Sequence, residues 1–341
     1  MQDEIFAKLK KALPGIKKNV LLKKHTTFKI GGPAKYFLVV PTPKNRGSRI
    51  RDGKAIGTSM KEQIIKALTL AQSLKIRTFI LGGGSNMLAS DKGFDGLVIK
   101  IENKKFIFKV KKDNTVTIPA GVQVAKIVAF STQKGLDGWQ WAGGLPGTLG
   151  GAIRGNAGAF GGETKDTVLV VEGIEDDTLQ VRTFSNAQCR FSYRNSIFKQ
   201  KNWIVLSVTL QFKLGDKKEL QKIAKANMDY RKERHPLDLP NAGSIFKNCD
   251  VKEFSPSLQQ SLAQVVKKDP FPVVPVAYLL SQIGLKGTTI GGAQVSPKHP
   301  NFIVNIKNAK AEDVLKIIDV NKEHIKKNYG VNLEQEVQYL D

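Results

Sequence analysis

Only two cysteines, Cys189 and Cys249, occur in 341 residues. Two thiols cannot form a disulfide framework; they fit a reducing compartment, although a single bridge stays open. No apolar run approaches the roughly 18 residues that a membrane span requires, so no membrane partner is expected. The start, MQDEIFAKLKKALPG, carries acids early and has no long apolar core, which argues against a signal peptide. The four histidines, at 25, 235, 299 and 324, and the two cysteines show no metal-ligand spacing, so no metal is expected. Acids are also scarce: 30 Asp and Glu against 54 Lys and Arg leave a net charge of +24. That excess favours an anionic partner, whether nucleic acid, anionic lipid or a phosphorylated small molecule, without choosing among them. Aromatics are only 8% of the chain and form no RNA-binding set, and no helix-turn-helix pattern is present. Nucleic acid is therefore not expected as the primary partner.

What remains is ordinary globular usage, with 41% hydrophobic and 25% charged residues over a length that suggests two or three domains. Residues 44 to 59, KNRGSRIRDGKAIGTS, read as an exposed basic insertion. The stretch KEQIIKALTLAQSLK places Ile64, Ile65, Leu68 and Leu70 at helical spacing, and RTFIL, LVIKI, FIFKV, TVLVVEGIE and WIVLSVTLQF read as strands. Strand and helix alternate, which predicts a mixed α/β architecture. The helical run KKELQKIAKANMDYRKER stops before Pro236, and a last α/β region ends in the helix AEDVLKIIDVNKEHIKKNYG.

Two glycine-rich elements follow strands. Gly82-Gly83-Gly84-Ser85-Asn86 is neither a Walker loop nor GxGxxG. It is either a structural turn or a concavity of backbone N–H groups that holds an anion. Nine of the 31 glycines then fall between Gly143 and Gly162. So many glycines oppose ordinary helix or strand. Interspersed Leu145, Leu149, Ile153 and Phe160 and the turn-fixing Pro146 oppose a flexible linker. A backbone wrapped against a large anionic cofactor explains both segments.

Three further stretches carry polar groups suited to chemistry. In CRFSYRNSIF, Arg194 is either a surface residue or a bidentate clamp for a carboxylate. In NAGSIFKN, Ser244 follows small residues that leave its hydroxyl reachable, unless it caps a helix; Lys247 would suit a phosphate, and no histidine lies at a triad spacing. In LEQEV, Glu334 and Glu336 share one face of an expected strand, and Glu336 is either a strand-end charge or a desolvated acid or base.

In their order, HTTFKIGGPA, ILGGGSN, AGGLPGTLGGAIRGNAGAFGGE, CRFSYRNSIFK, NAGSIFKN, GLKGTTIGGAQVSPKHPNFIVN and LEQEV closely resemble the UDP-N-acetylenolpyruvoylglucosamine reductase family over most of the chain. The short spacing between Phe198 and Ser244 looks like the form without the extra tyrosine-bearing loop. The resemblance implies an FAD-binding fold of the vanillyl-alcohol oxidase type. Its first subdomain would span 1–105, joined by 323–341; its second, 106–215; and a UDP-sugar domain, 216–322. It implies FAD and NADPH as cofactors, UDP-N-acetylglucosamine enolpyruvate as substrate, a cytoplasmic enzyme of peptidoglycan precursor synthesis, and a monomer. Gly82, Gly83, Gly84, Ser85 and Asn86 match the FAD pyrophosphate cradle, and Pro146, Gly147, Thr148, Gly151 and Asn156 a second FAD-contacting block. Arg194 matches the catalytic arginine, Ser244 the proton donor and Glu336 the catalytic glutamate. Lys247, Asn248 and His299 fall in substrate-contacting segments. The alternative is another FAD-dependent oxidoreductase of the same fold with a different substrate. Departures from the family pattern are the 44 to 59 insertion, an extended stretch from Cys249 to Pro275 with an amphipathic helix near LQQSLAQVV, His235 in place of glutamine and Lys29 in place of arginine.

Overall fold

The computed structural model describes residues 2–41, 50–51, 54–55, 59–269 and 271–341. Most of the 44 to 59 insertion therefore lies outside the described residues, apart from the short antiparallel pair Ile50–Arg51 and Lys54–Ala55, and Ser59. The chain forms two compact units. One comprises residues 1–20, 34–83 and 95–229, the other residues 21–33, 84–94 and 230–341.

The first unit is built on two sheets. One runs in the order Lys17–Leu21, Pro33–Pro41, Phe94–Glu102, Arg77–Leu81, with the last two strands parallel. The helix Met60–Ser73 starts at a capping box, in which Ser59 accepts from the Glu62 backbone while the Glu62 side chain accepts from that of Ser59. It buries Ile64 and Leu68 in a core with Leu97, Ile99 and Leu206. The second sheet is antiparallel throughout, in the order Val181–Ser185, Val168–Glu175, Trp203–Gln211, Thr115–Pro119. The helix Val124–Lys134 ends at Gly135, whose φ of 70° supplies the left-handed turn that closes it.

The expected strand FIFKV does not form. Phe106 and Phe108 meet edge to face with centroids 4.9 Å apart, and Phe108 stacks on Phe130 at 4.2 Å. Ile107 and Val110 face solvent. Aromatic anchoring onto a helix replaces ladder pairing here, and alternation alone does not distinguish the two.

In the second unit, an antiparallel sheet runs in the order Asn241–Ser244, Phe302–Asn305, Ala293–Val295, Thr289–Ile290. The helices Val276–Gln282 and Ala311–Tyr329 share its core through Leu279, Leu280, Val314, Ile317 and Ile318. The strand Gln338–Leu340 pairs in parallel with Met87–Ala89. The stretch after Cys249 folds as the helix Pro256–Leu262, capped by Ser255, with Phe254 and Leu262 in the same core. LEQEV is not a regular strand. It makes one isolated antiparallel bridge, Gln335 to Phe246, because its backbone partners are distributed over Ile245, Phe246 and Lys247.

Candidate functional site

The two glycine-rich segments touch through their backbones. A Cβ on Gly83 would lie 2.8 Å from the Gly147 Cα, and one on Gly82 2.6 Å from the Thr148 Oγ1. Gly84 has φ +64°, and a side chain on it would strike the His25 carbonyl. Only glycine permits this approach. No acceptor among the described residues takes the backbone N–H groups of Gly83, Gly84 or Ser85. Gly84 is buried and Ser85 half-buried, and such N–H groups left over from secondary structure need an acceptor, while consecutive ones form an anion nest. The turn therefore fits the pyrophosphate of a dinucleotide such as FAD.

The second glycine block departs from the composition argument in one respect. Leu149–Arg154 is helical despite Gly150 and Gly151. A Cβ on Gly150 would stand 2.9 Å from that of Ala120, so close packing rather than helix propensity selects that glycine. Pro146 and Gly151 are exposed, whereas Thr148 and Asn156 are buried. Asn156 donates from Nδ2 to the Ser192 carbonyl at 3.1 Å and accepts from the Lys165 N–H at 3.1 Å. Its Nδ2 thus ties the glycine block to the SYRN turn and its Oδ1 to the turn at Lys165, a role that its position in the motif does not disclose.

Arg194 lies in that turn with φ +53°, where Ser192 and Asn195 exchange backbone hydrogen bonds of 3.1 Å. Its Nη2 donates to the Gly158 carbonyl at 2.9 Å, and its guanidinium lies 5.1 Å from the Tyr193 ring. A left-handed arginine held by a glycine carbonyl is an oriented cation. Arg154, which the sequence reading passed over, is half-buried, and desolvation lowers its basicity.

The second unit gathers a different set. Gly84, Ser85 and Asn86, the Asn241–Ser244 strand and the C-terminal segment are joined by hydrogen bonds. The Thr27 N–H donates to the Gly84 carbonyl at 3.0 Å, and its Oγ1 donates to the Asn241 carbonyl at 2.7 Å. Asn86 accepts on its carbonyl from the Gln338 N–H at 3.1 Å and donates from Nδ2 to the Glu336 carbonyl at 3.4 Å. Ser244 ends its strand after Gly243, whose φ of +81° accompanies an irregularity in the pairing with Phe302–Asn305. Among the described residues the Ser244 hydroxyl makes no hydrogen bond, so the group is half-exposed and uncommitted.

Asn301, which the sequence reading also passed over, clamps the residues after Ser244. Its carbonyl accepts from the Ile245 N–H at 2.8 Å, its Oδ1 from the Phe246 N–H at 3.0 Å, and its Nδ2 donates to the Phe246 carbonyl at 2.9 Å. Lys247 pairs with Glu334 at 2.5 Å, and Asn248 accepts from the Val276 N–H at 3.3 Å. His299 packs edge to face on His235. Arg194 thus belongs to the first unit, and Ser244, Lys247, Asn248, His299 and Glu336 to the second.

The comparisons with known proteins agree on one family. A family model described as the C-terminal domain of UDP-N-acetylenolpyruvoylglucosamine reductase matches residues 235–340, and an FAD binding domain model matches 57–183. The UDP-N-acetylenolpyruvoylglucosamine reductase of Caldanaerobacter subterraneus is 36% identical over 322 residues, covering 94% of this chain and 92% of that protein. The enzyme of the same name from Anoxybacillus flavithermus is 36% identical over 327 residues, covering 95% and 94%. The crystal structure of the Thermus caldophilus reductase superposes with a TM-score of 0.71 at 26% identity, covering 96% of this chain and all of that one.

Proposed function

The chain belongs to the UDP-N-acetylenolpyruvoylglucosamine reductase family, oxidoreductases of peptidoglycan precursor synthesis with an FAD-binding domain, and on that premise we propose how its own residues divide the work. The reaction reduces UDP-N-acetylglucosamine enolpyruvate to UDP-N-acetylmuramate with NADPH as reductant. FAD, when bound, would supply the hydride chemistry between NADPH and C3 of the enolpyruvyl group.

Gly82 to Asn86 hold the cofactor's pyrophosphate through backbone N–H groups, and Pro146, Gly147, Thr148, Gly151 and Asn156 shape the second wall. Lys247, Asn248 and His299 hold the UDP-sugar, whose domain spans 216–322. Subdomain 1–105 with 323–341 and subdomain 106–215 hold FAD.

Hydride arrival at C3 leaves negative charge over C2 and the substrate carboxylate. Arg194 offsets that charge as it develops, and Glu336 assists as a protonated hydrogen-bond donor or through water. Ser244 then gives its hydroxyl proton to C2. A serine hydroxyl is a weak acid, and it serves here because the enolate is strongly basic and the hydroxyl is held close.

The observation that carries this reading is the uncommitted Ser244 hydroxyl at its strand end, with the Glu336 backbone bonded to the next residue at 2.8 Å. Among the described residues no helix is long and apolar enough to cross a membrane. Cytoplasmic residence and a monomeric state belong to the same proposal; light scattering on the purified protein tests the second. The activity itself is tested by a visible spectrum before and after NADPH, followed by the enolpyruvyl substrate. A flavin band that bleaches with NADPH and returns with substrate is expected. A colourless protein, or a band that substrate fails to restore, contradicts the reading.

A further inference from the structure

We propose that Glu163 is a positioning residue for Arg194: its buried carboxylate fixes where the guanidinium lies and so how firmly that group receives the carboxylate of the substrate. The inference deepens the reading above and rests on it for the role of Arg194 and the identity of the substrate.

The place is a hairpin in the first unit. Gly158–Ala159 pairs antiparallel with Gly162–Glu163, and Gly158 stands opposite Glu163. Thr164 closes the base, its N–H and its Oγ1 both donating to the Ala157 carbonyl at 2.8 Å. The hairpin is pressed on Trp141, since a Cβ on Gly162 would stand 2.4 Å from the indole. Two charged side chains flank Gly158. Arg194 Nη2 donates to its carbonyl at 2.9 Å. A Cβ on Gly158 would lie 2.8 Å from the Glu163 Cγ and 3.5 Å from the Arg194 Nη1. The carboxylate arm and the guanidinium thus border the same point, and only glycine leaves room for both.

Glu163 is only 8% exposed. Its Oε2 pairs with Lys165 Nζ at 2.6 Å, while its buried Oε1 has no hydrogen-bond partner among the described residues. Burying a carboxylate costs free energy that one pair with a half-buried lysine offsets only in part, and a further cation alongside lowers the cost. Arg194, across Gly158, is such a cation. Glu163 also takes part in a capping box with Asp166 at the turn Thr164–Thr167. That task explains a carboxylate at this position but not its burial beside a guanidinium.

One asparagine holds both segments. Asn156 accepts from the Lys165 N–H and donates to the Ser192 carbonyl, each at 3.1 Å. The segment that carries Glu163 is therefore bonded to the turn that carries Arg194, and the separation of carboxylate and guanidinium is set by the backbone. A guanidinium is a planar fork, so anchoring one edge aims the other. The Gly158 carbonyl supplies the anchor, and the Glu163 charge resists its release. A cation aimed before the substrate arrives needs no reorganisation when negative charge develops. Glutamine in place of Glu163 keeps the size of the side chain and loses the charge that holds the fork.

The test is rapid mixing with the FAD-loaded Glu163→Gln enzyme. Reoxidation of the reduced flavin by UDP-N-acetylglucosamine enolpyruvate should slow by about tenfold or more, with a raised half-saturating substrate concentration, while reduction by NADPH stays within about twofold of wild type. In an Arg194→Lys background, which already lacks the fork, Glu163→Gln should add less than about twofold. Lys165→Met keeps the carboxylate and should change either half-reaction by no more than about twofold. Equal slowing of both halves, losses that multiply in the double variant, or equal effects of Glu163→Gln and Lys165→Met overturn the assignment. Should Glu163→Gln lose its flavin, Glu163→Asp is read in the same way, with selective slowing as support and equal slowing as refutation. A crystal structure of the variant is the arm that does not depend on the reaction: an Arg194 Nη2 that leaves the Gly158 carbonyl supports the assignment, and an unmoved guanidinium overturns it. A wild-type enzyme whose flavin the enolpyruvyl substrate does not reoxidise contradicts the proposed function and leaves the crystal structure to decide on Glu163.

Discussion

The backbone N–H of Glu336 donates to the carbonyl of Ile245 at 2.8 Å, which holds the glutamate's main chain against the residue that follows Ser244. The tie runs through the backbone and survives a change of side chain. Glu336→Gln is therefore expected to fold, to retain its FAD and to lose turnover by about a hundredfold or more, as for loss of an acid–base group. Flavin content by absorbance and kcat with saturating substrates check this. Recovery of the variant as apoprotein would make Glu336 a structural residue.

The contact between Gly83 and Gly147 leads to a second expectation. A methyl group at Gly83 must displace backbone, because the obstructing atom is the Gly147 Cα at 2.8 Å. Overpacking of this kind costs about 1–3 kcal/mol. Gly83→Ala should purify with a lower ratio of flavin to protein absorbance and release FAD more readily on dilution. Normal flavin occupancy would remove the pyrophosphate cradle from the account.

His235 gives stability a pH dependence with a defined sign. Burial, His299 and the cations Arg231, Lys298 and Lys267 lower its folded value from 6.5 to about 4. Between those values the unfolded chain binds a proton that the folded chain refuses, so the stabilising contribution is full above pH 6.5 and is lost as pH falls toward 4. The Tm of wild type should drop across that window more steeply than that of His235→Gln. Parallel Tm curves would contradict the assignment.

Both thiols should be inert in the native state. Burial pushes Cys189 and Cys249 up to about 12, with Glu253 adding to the shift at Cys249, and both are free. Ellman's reagent is expected to titrate neither until denaturant is added. Rapid reaction at neutral pH would show that one of the two sites opens.

Much of the fold is legible in the residues. Helical spacing of Ile64 and Leu68 marks a buried face that forms as expected, and the strand Val168–Glu175 follows from its β-branched run. The FIFKV segment misleads because Phe106 and Phe108 alternate as in a strand yet pack on a helix through Phe130. LEQEV misleads because its partners, Ile245 to Lys247, lie far away in the chain, and periodicity carries no information about them. The candidate site is legible only as motifs, and the bonds that hold its segments are not. Thr27 reaches Asn241 across 214 positions, and Asn301 reaches Phe246 across 55.

The most direct test of the central claim separates the two half-reactions of Ser244→Ala by rapid mixing. Reduction of the bound flavin by NADPH should stay within about twofold of wild type, while its reoxidation by UDP-N-acetylglucosamine enolpyruvate slows by about a hundredfold or more, since only the second half needs a proton donor at C2. Equal loss in both halves, or reoxidation at the wild-type rate, would contradict the role of Ser244 as that donor.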